Sequence, residues 1–153
     1  MVCLGNICRS PTAEAVLRAR LENRGLQDRI LVDSAGTGDW HIGHCPDPRS
    51  QAAARKRNYD LSTLLARQVS REDFHTFDYI VAMDWQNLRD LRELSPPEYH
   101  SRISLLLDWS KGHFGDVPDP YEGGEEGFEL VLDLVEHACD HLLDAIVQEH
   151  GLA

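Results

Sequence analysis

The chain has no apolar run long enough to cross a bilayer, and no basic stretch followed by an apolar one near its start, so neither a membrane span nor an export leader is expected. Basic residues are scarce: 15 Lys and Arg stand against 26 Asp and Glu, a formal net charge of −11. That balance argues against non-specific attraction to nucleic acid or to an anionic membrane. It also means that an anion site would have to create positive potential locally. Cysteine is sparse, with four residues at 3, 8, 45 and 139 in no zinc-like spacing. With no export signal, free thiols in a reducing cytoplasm are expected. Internal repeats and low-complexity stretches are lacking, which removes solenoid and disordered-tail architectures. What is present is an ordinary globular composition over 153 residues. That is one domain, 1–153, long enough to bury roughly two-thirds of its unfolded surface without a disulfide or a metal.

The richest stretch is the first eleven residues, MVCLGNICRSP. Five residues separate Cys3 from Arg9, and Ser10 follows at once. Gly5 and Asn6 both tolerate positive φ, so a tight turn is permitted between the two reactive ends. Ser10 is a good helix N-cap and Pro11 suits the first helical position. The segment therefore reads as strand end, turning loop and helix N-terminus. In such a loop the backbone N–H groups of Leu4, Gly5, Asn6, Ile7, Cys8, Arg9 and Ser10 can converge into an anion cradle. Amides, helix end and Arg9 together stabilise negative charge on the Cys3 sulfur. The planar fork of Arg9 matches two phosphate oxygens. Nucleophile, cradle and bidentate cation outline a phosphate-transfer site; the bland alternative is a buried cysteine beside a surface arginine.

Apolar spacing organises the remainder. Ala13, Val16, Leu17 and Leu21 make one helical stripe from Pro11 to about Arg24, stopped at Gly25. ILV at 30–32 reads as the second strand, and places Ser34 at a strand's C-terminal end, where open α/β sheets gather ligand groups. Ser34 could equally be a simple turn serine. In the loop GTGDWHIGHCPDP, Trp40 either folds back on the core or stands at a cleft. His41, His44 and Cys45 lack a fourth metal ligand. Asp47 and Pro48 open a helix to roughly Asn58, with Arg49, Arg55, Lys56 and Arg57 read as solvated surface. Ser70 begins an approximate capping box. YIVAM (79–83) is the third strand and Asp84 after it reads as a cap or a support to the site. Ile103 to Leu107 is the fourth strand. The last helix runs from Glu125 to His150 and buries Phe128, Val131, Leu132, Val135, Ala138, Leu142 and Ile146. His137 and His141, four apart and off that stripe, read as exposed surface. Alternating strands and helices imply an α/β fold with a parallel sheet covered on both faces. Only Met1 and Val2 precede Cys3, so either the native start lies upstream or the first strand is severely shortened.

Displacing an alkoxide or phenolate from phosphorus needs a proton donor at the leaving oxygen. In DVPDPYEGG, 116–124, Asp119 stands between two prolines on a stiff loop after the last strand. Asp116 is the local competitor, and a plain turn aspartate the bland reading.

The string CLGNICRSP resembles the active-site loop of the low-molecular-weight protein tyrosine phosphatases, and the resemblance extends through DSAGTGDW, ARQV, EDF, FDYIVAMD and the Asp-Pro-Tyr of 119–121. It implies a single-domain, four-stranded parallel sheet in order 2-1-3-4. It implies Cys3 as nucleophile, Arg9 with the loop amides as phosphate cradle, and Asp119 as general acid. It pairs Ser34 with Asn6, sets Ser10 to support the Cys3 thiolate, and walls the substrate cleft with Trp40 and Tyr121. Cys8 becomes either a small buried hydrophobe or the partner that traps oxidised Cys3. No metal or other cofactor is called for. The partners implied are a phosphotyrosine-containing protein and a tyrosine kinase as counterpart, with no nucleic acid, no membrane and a monomeric state. Two positions depart from the pattern. Glu122 replaces a second tyrosine common among relatives, disfavouring acidic substrate flanks, and Leu64 stands where vertebrate members have a histidine that supports the phosphate loop.

Other readings meet obstacles. An arsenate reductase of this fold relays a disulfide through mid-chain cysteines, and none lies between Cys45 and Cys139. A phospho-carrier needs Cys3 but neither Arg9 nor Asp119. A phosphate-binding module needs no nucleophile.

Overall fold

A parallel strand must lie opposite its partner's residues, and the chain offers little before the first loop. The computed structural model describes residues 1–112 and 115–152. Strand β1 is just Val2–Cys3. It sits at the centre of a parallel sheet with β2 (Ala35–Gly36), β3 (Ile80–Ala82) and β4 (Ile103–Leu105), in the order β2-β1-β3-β4. Val2 lies opposite both Ala35 and Ala82, and Ile80 opposite Ile103. Successive strand residues face opposite sides. Cys3 and Val81 accordingly join one core with helix α1 (Arg9–Asn23), helix α2 (Pro48–Arg55) and helix α5 (Glu125–His150). Val2, Ile80, Ala82, Ile103 and Leu105 join the other, with Phe74 of α3 (Arg71–Thr76) and Leu88 and Leu91 of α4 (Trp85–Leu94). The expected strand order and two-sided covering are both present. The seven apolar positions predicted for the last helix are all buried. Among the described residues no helix is long and apolar enough to cross a membrane.

Several boundaries differ from expectation, each for a local reason. The second strand is not 30–32 but Ala35–Gly36, because β1 supplies only Val2 and Cys3 to pair with. The fourth strand stops at Leu105, and Leu106–Trp109 turn into a 3₁₀ helix. Likewise the third keeps only Ile80–Ala82. Helix α2 ends at Arg55, three residues early, and Asn58 takes the left-handed turn (φ 69°) that reverses the chain. Helix α1 begins at Arg9 with Cys8 as its cap, so Ser10 lies inside the first turn and does not cap it. Pro11 still costs nothing there, since first-turn amides have no helical acceptor. His137 and His141 are half-buried and meet edge to face (centroids 4.6 Å, interplanar angle 71°), not free on the surface.

Asp47 caps α2 by accepting from Arg49 N at 2.8 Å, and Asp84 caps α4 by accepting from Asn87 N at 2.7 Å. Beside Met1 the sheet leaves a cavity of about 430 Å³, lined among others by Ile30, Val32, Tyr79, Leu142 and Ile146. Met1 donates its ammonium to the Asp33 carbonyl at 3.0 Å, and burial lowers the pKa of that ammonium.

Candidate active site

The loop between β1 and α1 turns on Asn6, which holds φ at 56° and so aims its amide back at the preceding residues. Asn6 N donates to Cys3 Sγ at 3.3 Å, and Ser10 Oγ lies 2.9 Å from the same sulfur. The side-chain amide of Asn6 donates to Ser10 Oγ (2.8 Å) and Ser34 Oγ (2.9 Å), while its carbonyl accepts from Arg67 N (3.0 Å). Every polar atom of this buried amide is therefore used, which fixes the turn. The Ser34 hydroxyl donates a hydrogen bond to Glu14 Oε1 at 2.6 Å. Glu14 is buried and held by Arg18 at 2.6 Å. Ser10 Oγ accepts from Asn6, and its one proton faces both the Cys3 sulfur at 2.9 Å and the Ala35 carbonyl at 3.5 Å. The Ser10 hydroxyl is thus engaged by Cys3 and Asn6 and not by the end of its helix.

The loop lies close on β2. A Cβ on Gly36 would fall 2.7 Å from the Leu4 carbonyl and 3.2 Å from Asn6 N, so only glycine lets the two backbones approach.

Arg9 is 3% exposed. Its Nη1 donates to Asp84 Oδ2 (2.6 Å) and to the Val117 carbonyl (3.1 Å). Its Nη2 lies 3.5 Å from Asp119 Oδ2. Burial works against the Arg9 charge, but neighbouring Cys3, Asp84 and Asp119 outweigh it and hold the guanidinium ionised. Asp84 serves two ends at once, one oxygen capping α4 and the other orienting Arg9.

Asp119 is brought to this centre from the far end of the chain. Its Oδ1 accepts from Tyr121 N at 3.1 Å, and its side chain is about half exposed, open to a substrate. Its competitor Asp116 is engaged elsewhere, accepting from Trp85 N at 2.9 Å. Trp40 is 67% exposed and not in the core; its ring covers Gly38, where a Cβ would collide with it at 2.1 Å. Tyr121 is also exposed. The His41 ring lies against Gly5 and 6.4 Å from the Tyr121 ring. Cys8 is buried, and desolvation pushes its thiol up to about 12 against an opposing hydrogen bond from Ser50. All four cysteines are free thiols.

Sequence reasoning missed Glu14, Arg67, His41 and Gly36. Glu14 left one signal, an acid four residues after Ser10 and beside the apolar stripe of α1. Glu14, through Ser34, and the Arg67 amide both anchor Asn6 of the loop.

Comparison with known proteins agrees with this arrangement. A family model described as low molecular weight phosphotyrosine protein phosphatase matches residues 1–151. The chain is 45% identical over 152 residues to the low molecular weight protein-tyrosine-phosphatase YfkJ of Bacillus subtilis, covering 99% of this chain and 96% of that one. It is 44% identical over 144 residues to the Schizosaccharomyces pombe low molecular weight phosphotyrosine protein phosphatase, covering 92% of each. Its backbone matches a crystal structure of the Entamoeba histolytica protein tyrosine phosphatase with a TM-score of 0.92 at 41% identity, over 99% of this chain and 96% of that one. It matches the crystal structure of YfkJ at a TM-score of 0.91. With the family model spanning nearly the whole chain and relatives above 40% identity covered over nearly their full length, the chain belongs to the low molecular weight phosphotyrosine protein phosphatases, a family of enzymes.

Proposed function

We propose that this chain hydrolyses phosphotyrosine in proteins through a phosphocysteine on Cys3. The observation that carries the reading is the meeting of three groups from opposite ends of the chain: Cys3 Sγ supported by Ser10 and Asn6 N, buried Arg9, and Asp119 at 3.5 Å from Arg9. In the first step the Cys3 thiolate attacks phosphorus in line. The S–P bond forms, the P–O bond to the tyrosyl oxygen breaks, and Asp119 gives that oxygen its proton. Arg9 and the amides from Leu4 to Ser10 hold the three equatorial oxygens as charge spreads over them. In the second step Asp119 takes a proton from water, whose oxygen attacks phosphorus. The S–P bond breaks, inorganic phosphate leaves, and Ser10 steadies the departing thiolate.

Trp40 and Tyr121 stack on the substrate ring. Glu122 beside them disfavours acidic flanks. In this reading the enzyme acts as a monomer in the cytoplasm, opposite a tyrosine kinase. Cys8 traps oxidised Cys3: peroxide converts the Cys3 thiolate to a sulfenic acid with release of hydroxide, and the Cys8 thiol then closes the disulfide with loss of water. Mass mapping after peroxide tests this; over-oxidised Cys3 without a Cys3–Cys8 link refutes it.

The central test is release of p-nitrophenol from its phosphate ester in EDTA. The parent turns over, Cys3→Ser is inactive, and Asp119→Ala is slowed roughly hundredfold, the contribution of a general acid. Parent activity that survives in Cys3→Ser refutes the mechanism, and accumulation of phosphorylated Cys3 without phosphate release identifies a carrier instead.

A further inference from the structure

Asp119 stands on a stretch without regular structure, between the 3₁₀ turn that follows β4 and the start of α5 at Glu125. Two flanking prolines stiffen it, but stiffness alone does not set its distance from Cys3. Gly124, the cap of α5, offers no side chain to hold the loop.

Arg49, the second residue of α2, holds it from across the cleft. Its Nη2 donates to the Tyr121 carbonyl at 2.8 Å and its Nη1 to the Gly123 carbonyl at 3.3 Å. The same guanidinium forks onto Asp47, Nε to Oδ1 at 3.1 Å and Nη2 to Oδ2 at 2.9 Å. Its central carbon lies 4.7 Å from the Phe128 ring centroid and 5.6 Å from that of Tyr121. Asp47 in turn donates its backbone N–H to the Ile7 carbonyl of the phosphate loop at 2.8 Å. A continuous path therefore runs from the loop carrying Cys3, through Ile7, Asp47 and Arg49, to the carbonyls on either side of Glu122. From Tyr121 N it reaches Asp119 Oδ1. Arg49 stands on the surface, as its sequence context predicts, yet its donors and its flat face are engaged by neighbouring protein groups.

We propose that Arg49 is the positioning residue for the general acid, fixing the Asp119 loop against the Cys3 loop so that the proton arrives where the leaving oxygen departs. The inference rests on the phosphatase reading above. Only a planar, multiply donating cation can fork onto a carboxylate, reach two carbonyls and lie over two rings at once, so lysine does not substitute. A displacement of about 1 Å in such a group costs on the order of a hundredfold in rate.

The test compares kcat/KM for two esters. Phenyl phosphate needs its leaving oxygen protonated, whereas dinitrophenyl phosphate loses a phenolate that departs unaided. Arg49→Met is expected to lose roughly ten- to a hundredfold on phenyl phosphate and less than about twofold on the dinitrophenyl ester, the pattern of Asp119→Ala itself. In an Asp119→Ala background it is expected to add no further loss, since both changes remove one function. Arg49→Lys is expected to follow Arg49→Met, and it carries the same comparison if the methionine variant fails to fold. Equal losses on both esters, additive losses in the double variant, or a lysine variant as active as the parent on phenyl phosphate overturn the proposal. If Asp119→Ala itself loses equally on both esters, the assignment of the acid has failed, independently of Arg49.

Discussion

Gly36 has a backbone that most residues could adopt, yet it admits no side chain. A Cβ there would meet the Leu4 carbonyl and the Asn6 amide, both main-chain atoms that cannot step aside without moving the phosphate loop. Gly36→Ala is therefore expected to lower kcat by about tenfold or more through misplacement of the cradle. It should also cost about 1–3 kcal/mol of stability, the usual penalty of overpacking. Steady-state kinetics and urea unfolding check the two effects separately, and an alanine variant with parental kcat refutes the close-approach argument. The same scale holds the lesson of Ser10. Its type and place suggested a cap, but the tertiary partners Cys3 and Asn6 claim its hydroxyl.

At the scale of elements, α1 and α5 form the main seam of one core, with Ala13, Val16, Leu17 and Leu21 meeting Leu132, Val135, Ala138 and Leu142. Cys139 lies fully inside that seam, its sulfur 3.9 Å from the Ala13 carbonyl. Burial pushes its thiol up to about 12. An unfolded thiol ionises near pH 8.5. A group whose folded pKa is raised contributes stability in full below its unfolded value, and loses it as pH rises toward the folded value. Thermal stability is thus expected to fall from about pH 8.5 upward, and Cys139→Ala to flatten part of that fall while lowering stability at neutral pH through the small cavity it leaves. Calorimetry of both proteins between neutral and alkaline pH measures the difference; identical alkaline slopes contradict the assignment. Helix α5 was legible in sequence because its 3.6-residue apolar period runs for about five turns, from Phe128 to Ile146. The third and fourth strands were legible as apolar runs but not in their bounds, and the second was misplaced, since two or three residues show no period and pairing decides which of them enter the sheet.

For the molecule as a whole, a cavity of about 430 Å³ lies beside Met1. Ile80 has a neighbour in β4, whereas the register of β1 on β3 begins only at Val2 and Ala82. Apolar walls from both flanking segments and from α5 face this gap. Adding four apolar residues before Met1 is expected to extend β1 into it. Burying two inward side chains, at about 1.5–3 kcal/mol each, outweighs part of the ordering cost of about 1–2 kcal/mol per residue only if strand pairing forms as well. A net gain of about 2 kcal/mol raises Tm by roughly 4–8 °C in a domain of this size. Four glycine and serine residues in the same place are the control, and an equal shift from both extensions refutes strand insertion. What the sequence by itself determined is the family and the class of fold: the string around Cys3 and Arg9 and the Asp119 segment carry the resemblance, and alternating apolar runs imply a covered parallel sheet. These properties are local, written within a dozen residues or one helical period. Only the tertiary structure decided which partners hold those groups. Glu14 behind Ser34, Asp84 and Val117 on Arg9, and Arg49 across the acid loop are contacts between segments up to 108 residues apart, such as Arg9 with Val117. No periodicity records such contacts, because they depend on where whole elements come to rest.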